Sequence, residues 1–125
     1  MKKIIRSINA PAPIGPYNQA VEINGLLYVS GQIAINPNTN ELITANIGDE
    51  AKQVMENIST ILAEAGYEFE HIIKTTIFLT DMANFGVVNE VYGSYFETDF
   101  PARETVAVVG LPKNANVEIS VVAGK

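Results

Sequence analysis

Ala51-Lys52-Gln53-Val54-Met55-Glu56-Asn57-Ile58-Ser59-Thr60-Ile61-Leu62-Ala63-Glu64-Ala65-Gly66 is the stretch that decides the layout of this chain. Its apolar residues Ala51, Val54, Met55, Ile58, Ile61, Leu62 and Ala65 recur at helical steps. That spacing predicts a helix of about five turns with one apolar stripe. Gly66 follows where a helix stop favours glycine. Beyond it, Ile72–Leu79 is rich in isoleucine and threonine and reads as a strand.

Working outward, Asn24-Gly25 lies between two short apolar runs, Ala20–Ile23 and Leu26–Ser30. Both central positions of a type I′ turn need positive φ, so this pair predicts a hairpin. Upstream, Pro11, Pro13 and Pro16 mark an ordered loop rather than a domain boundary. Downstream, Asp81 is the expected N-cap of a second helix running to about Phe96. Its stripe is Phe85, Val88, Val91, Tyr92, Tyr95 and Phe96. Gly86 and Gly93 weaken that helix by about 1 kcal/mol each relative to alanine. Close packing against the sheet is the expected reason for them. Two last strands, about Glu104–Val109 and Val117–Ala123, flank the Gly110–Asn116 connection.

The order is β-β-β-α-β-α-β-β in one domain, 1–125. It predicts an α+β fold: a mostly antiparallel sheet with two helices packed on one face. The opposite face should also carry Val, Ile and Leu. Two helices cannot cover both faces, so oligomerisation is the expected cover.

Composition narrows the function. With 47% hydrophobic and 18% charged residues, the 125-residue chain reads as an ordinary globular protein. There is no cysteine, so disulfide frameworks and thiolate chemistry are excluded. A net charge of −6 and no cluster of basic residues argue against nucleic acid as a partner. The basic start Met1–Arg6 is not followed by the apolar region of a signal peptide. No apolar run approaches ~18 residues, so no membrane span is expected. A soluble cytoplasmic protein is the expectation.

The single histidine, His71, reads as a surface residue beside Glu68 and Glu70. A zinc site and a Ser-His-Asp triad therefore lack candidates, and no metal is expected. Lys74 reads as a solvent-facing strand lysine rather than a Schiff-base lysine. Arg103, after Pro101-Ala102, has two readings: a surface arginine at a strand start, or a carboxylate clamp whose rigid fork matches two carboxylate oxygens. Glu118 alternates with Val117, Ile119 and Val121, so it is either a solvated charge or a partly buried carboxylate that activates water. Gly15 and Gly31 would allow close approach of a ligand, and Tyr17 and Ser30 could supply hydroxyl donors; ordinary turn chemistry is the alternative. Asn89 is equally open.

Together the segments Ala12–Tyr17, Val29–Ile33, Lys74–Leu79, Val88–Tyr92, Phe100–Arg103, Leu111–Lys113 and Val117–Ile119 stand in an order that resembles the RidA/YjgF family of enamine/imine deaminases. The resemblance covers almost the whole chain. It implies a chorismate-mutase-like subunit in a homotrimer, with ligand sites in clefts between subunits. It also implies hydrolysis of 2-imino acids, such as 2-iminobutanoate or 2-iminopropanoate, to 2-oxo acids and ammonia without metal or organic cofactor. The family's carboxylate-binding arginine falls on Arg103 and its acidic residue on Glu118. Tyr17, Ser30, Gly31 and Asn89 match further pocket positions.

The chain departs from the family pattern after Arg103. Glu104 is large and charged where a small residue is common. Strand alternation should turn it away from Arg103, while Thr105 keeps a small polar group on the Arg103 side. Val109-Gly110 is a second departure. A plain hairpin of the last two strands would set Glu118 opposite Val108 and leave Arg103 roughly 16 Å along the strand. The two could then share one ligand only through an offset register, strands that are not simply paired, or converging side chains. A non-catalytic carboxylate-binding trimer is the main alternative. RNA cleavage, translational inhibition and a chaperone-like activity are further ones.

Overall fold

The computed structural model describes residues 1–125. Strands β1 (Lys3–Ile5), β2 (Ala20–Ile23) and β3 (Leu26–Gln32) form an antiparallel meander. Asn24 (φ 51°) and Gly25 (φ 80°) make the turn that the Asn-Gly pair predicts. The third strand runs two residues further than expected. It carries a register shift between Val29 and Gln32, a β-bulge opposite Val121–Ile119.

Helix α1 (Ile47–Glu64) begins four residues before the predicted stripe. Asn46 explains the earlier start: its Oδ1 accepts from the Asp49 N–H at 2.8 Å. Gly66 (φ 80°) ends the helix as expected. The N–H of Gly66 donates to Ala63 and that of Tyr67 to Leu62, closing the last turn with a Schellman pair.

Strand β4 (Ile72–Leu79) matches its predicted span. The second helix does not. Asp81 caps a 3-10 turn, Met82–Asn84, by accepting from the Ala83 N–H at 2.9 Å. The α-helix α2 is only Phe85–Gly93. The expected tight packing at Gly86 and Gly93 is also overturned, because a Cβ at either position would meet nothing within 4 Å.

The last strands, β5 (Ala102–Ala107) and β6 (Val117–Gly124), are not partners. The sheet order is β1-β2-β3-β6-β4-β5, so β4 lies between them. It pairs antiparallel with β6 and parallel with β5, which is the one parallel pair. A short hairpin cannot make a parallel pair, and α2 with its flanks supplies the crossover.

Both helices cover one face. Leu27, Ile77, Leu79, Val117 and Ile119 from the sheet meet Val54, Met55, Ile58 and Ile61 from α1, all fully buried. The other face is mixed rather than simply aliphatic. Tyr28, Phe78, Val106 and Val122 share it with Lys74, Thr76, Glu104, Glu118 and Ser120, by the alternation of the strands. No helix is long and apolar enough to cross a membrane.

Candidate functional site

The β4–β5 register decides where Arg103 points. Arg103 is level with Thr75, and Thr75 is wholly buried on the helix side. Arg103 therefore projects from the outermost strand toward α2. There Phe85, Asn89 and Tyr92 form one helical stripe at steps of four and three. Asn89 Oδ1 accepts from Arg103 Nη1 at 2.7 Å. The guanidinium carbon lies 5.2 Å from the Tyr92 ring centre and 5.7 Å from that of Phe85. Both distances are in the range of cation–π attraction.

Arg103 makes no ion pair within the chain. Its other N–H donors border a cleft of about 320 Å³, lined by Asn89, Tyr92, Gly93, Phe100, Pro101 and Arg103. Thr105, level with Ile77, is on the same side, and its Oγ1 is buried without a hydrogen-bond partner. Thr105 is not part of the cleft lining; what suits a small anion there is a fixed cation beside an apolar wall.

Glu104 points the other way, as strand alternation predicts. Its carboxylate accepts from Thr76 Oγ1 at 2.7 Å and lies 3.1 Å from Lys74 Nζ. Those bonds, Thr76 first and then Lys74, hold the Glu104 carboxyl below its ordinary range. It does not compete for Arg103. Lys74 is thus half-exposed and paired. His71 is likewise structural: its Nδ1 accepts from the Glu68 N–H at 2.9 Å.

A second group assembles on the open face. Glu118, level with Phe78, lies beside the β3 bulge. A Cβ on Gly31 would stand 2.5 Å from Glu118 Oε2, so glycine is what leaves the carboxylate its place. Burial pushes the Glu118 carboxyl above its ordinary range. A recess of about 50 Å³, with room for water, runs between Glu118, Gly31, Gln19, Tyr17, Ile14 and Pro112.

Tyr17 is exposed, and its hydroxyl accepts from the Ile14 N–H at 3.3 Å, leaving its own proton free to donate. Ser30 is different. Its hydroxyl proton goes to the Asn18 carbonyl at 2.6 Å, so toward a ligand it can only accept.

Two buried polar residues outside the predicted set hold this group. Gln19 Oε1 accepts from the Ser7 N–H at 2.6 Å, and its Nε2 donates to the Pro11 carbonyl at 2.9 Å. These bonds pin the proline loop that carries Tyr17. Glu50, fully buried on α1, accepts from the Asn116 N–H at 2.7 Å and from Asn116 Nδ2 at 2.8 Å. That fixes the start of β6, just ahead of Glu118.

The chain therefore brings Arg103, Asn89 and Thr105 together on one side, and Tyr17, Ser30, Gly31 and Glu118 on the other. It does not bring Arg103 to Glu118. Thr75 is level with Arg103, and Phe78 with Glu118, two strands away. Their Cα positions are roughly 14 Å apart by strand geometry, on opposite faces. Phe85 and Tyr92, which flank the Arg103 guanidinium, are not among the residues that the sequence singles out for the site. Their one signal was helical spacing around Asn89, and the same spacing serves a core stripe.

Comparison with known proteins agrees with the fold. A family model described as Endoribonuclease L-PSP matches residues 7–125. A Mus musculus protein named 2-iminobutanoate/2-iminopropanoate deaminase is 42% identical over 98% of this chain and 91% of its own length. A Lactococcus lactis protein named putative regulator AldR is 50% identical, over 97% and 96% respectively. The crystal structure of Escherichia coli TdcF with bound serine superposes with a TM-score of 0.94 at 39% identity, covering 98% of both chains.

Proposed function

This chain belongs to the Endoribonuclease L-PSP family, the RidA/YjgF proteins, and on that footing we propose that it hydrolyses small 2-imino acids to 2-oxo acids and ammonia. The observation that carries the reading is Arg103: a cation with no acidic partner, held by Asn89 between two rings at the mouth of a cleft. A small carboxylate supplies the missing charge in two parallel bonds. The serine bound to TdcF supports a carboxylate ligand of this size.

In this proposal the substrate carboxylate rests on Arg103, near Thr105. Glu118 takes a proton from water as the oxygen attacks the imine carbon. It then returns that proton to the nitrogen, giving a carbinolamine; Glu118 next carries the hydroxyl proton to the same nitrogen, and the C–N bond breaks as the C=O forms, releasing ammonia. Tyr17 donates to the imine region, while Ser30 accepts an N–H. The balance is one imino acid plus one water giving one 2-oxo acid plus one ammonia. Imines hydrolyse unaided, so placement and a proton-transfer group suffice, the latter typically contributing ~10²–10⁴-fold. Because Arg103 and Glu118 lie on opposite faces, one chain alone does not make this site. A cytoplasmic homotrimer with clefts between subunits supplies Arg103 from one copy and Glu118 from the next.

The test generates the imine in place with an amino-acid oxidase and follows its loss. Wild-type protein should accelerate it, and Arg103→Ala should lose roughly 100-fold in kcat/KM, the scale of a charge-assisted pair. Full acceleration by Arg103→Ala would sink the clamp.

The relative named a putative regulator favours a second reading, a carboxylate-binding trimer without turnover. Binding of 2-oxobutanoate with no acceleration of imine loss would select it. RNA cleavage, which the family description mentions, sits poorly with a net charge of −6.

A further inference from the structure

We propose that Tyr92 is a positioning residue that sets the plane of the Arg103 guanidinium, acting through its hydroxyl's bond to Thr75. The inference rests on the reading of Arg103 as the carboxylate anchor and names what orients that anchor.

An arginine side chain alone has many rotamers, and ordering them opposes ligand binding. Asn89 fixes one point, Nη1, but a single hydrogen bond leaves the guanidinium free to swing about it. A flat surface restricts that rotation. Two rings approach the guanidinium, and they differ in how firmly they are held. Phe85 is 37% exposed, with no polar atom to tie it. Tyr92 is 4% exposed, and its hydroxyl donates to Thr75 Oγ1 at 2.8 Å inside the core.

Thr75 is also the residue level with Arg103 across the β4–β5 pair. Arg103, Tyr92 and Thr75 thus close a triangle. The sheet fixes the arginine backbone against Thr75, the hydroxyl fixes the tyrosine against Thr75, and the ring fixes the guanidinium against the tyrosine. Burial pushes the Tyr92 phenol up, against smaller opposing effects of Thr75 and Arg103, so its donor proton is retained. The anchor's direction is thereby set by the rigid centre of the molecule rather than by the exposed edge strand that carries it.

The experiment uses Tyr92→Phe and Tyr92→Leu in the full chain. Five quantities are read: kcat and KM for imine loss, 2-oxobutanoate affinity, thermal midpoint, and the NMR line of the Arg103 Nε–H. Tyr92→Phe keeps the ring and frees its far end, so KM should rise about 3-fold. Tyr92→Leu removes the ring, and KM should rise about 10-fold or more, the scale of a partly buried cation–π contact. In both variants kcat should stay within about twofold of wild type, with the Nε–H line broadened. A merely structural role would lower the midpoint and the active fraction, leaving KM and the Nε–H line unmoved, and that outcome overturns the proposal. If wild-type protein fails to accelerate imine loss, the deaminase reading falls. Positioning is then decided by 2-oxobutanoate affinity and the Nε–H line: weaker and broader in Tyr92→Leu supports it, unchanged overturns it.

Discussion

Arg103 and Glu118 stand on opposite faces of one sheet, Arg103 level with buried Thr75 and Glu118 level with Phe78 on the open side. If neighbouring copies complete each other's sites, two dead variants should revive one another. Arg103→Ala and Glu118→Gln, each inactive alone, are unfolded together at equal amounts and refolded. Random mixing leaves about a quarter of the clefts with both native residues, so about a quarter of wild-type activity should return. A mixture no more active than its parts would place the two residues in separate functions.

Glu118 makes stability depend on pH with a definite sign. Burial raises its folded value above the ordinary 4.5. The folded chain therefore binds this proton more firmly than the unfolded chain. The stability so contributed is fully present below pH 4.5 and is lost as pH rises through the raised value. Glu118→Gln, which mimics the neutral acid, should melt higher than wild type above that window and converge with it below. Thermal midpoints across pH 4–8 check this. Over the same window wild-type kcat/KM should fall as pH drops, because the base form is lost.

Gly31→Ala tests the geometry beside Glu118. The new Cβ would stand 2.5 Å from Oε2, so the carboxylate must swing away. Activity should fall roughly 10- to 100-fold, less than the ~10²–10⁴-fold such a group can supply, because the carboxylate is displaced rather than removed. A Gly31→Ala protein with full activity would show that Glu118 need not sit where it does.

Gly86→Ala should do the opposite to stability. Nothing lies within 4 Å of the added methyl, and alanine is the better helix former. A gain of about 0.5–1 kcal/mol is expected by denaturant titration. A loss would mean that a neighbouring copy packs against this glycine.

Local signals carried much of the fold into the sequence. The turn at Asn24-Gly25, the α1 stripe and the stop at Gly66 each depend on residues a few positions apart, and all three stand as expected. What was hidden depends on pairing at long range. Nothing in Glu104–Val109 or Val117–Ala123 reveals that Ile72–Leu79 inserts between them. Glu50 was hidden for another reason. An acid in the first turn of a helix complements its dipole on the surface, so its burial against Asn116 has no local mark. The family's pattern led to Arg103, Asn89 and Glu118 as individual residues. It did not tell that a single chain keeps Arg103 and Glu118 apart.

The strand at the middle of the sheet, β6, is the last element in chain order, and both β3 and β4 hydrogen-bond to it. During synthesis the meander and the β4–β5 pair must wait as two unjoined halves, each with a bare strand edge toward the gap. Closure is a late, non-local event of the kind that slows folding. The waiting chain exposes the apolar face of α1 as it emerges from the ribosome, which makes this a protein whose yield should respond to chaperone supply more than its small size suggests.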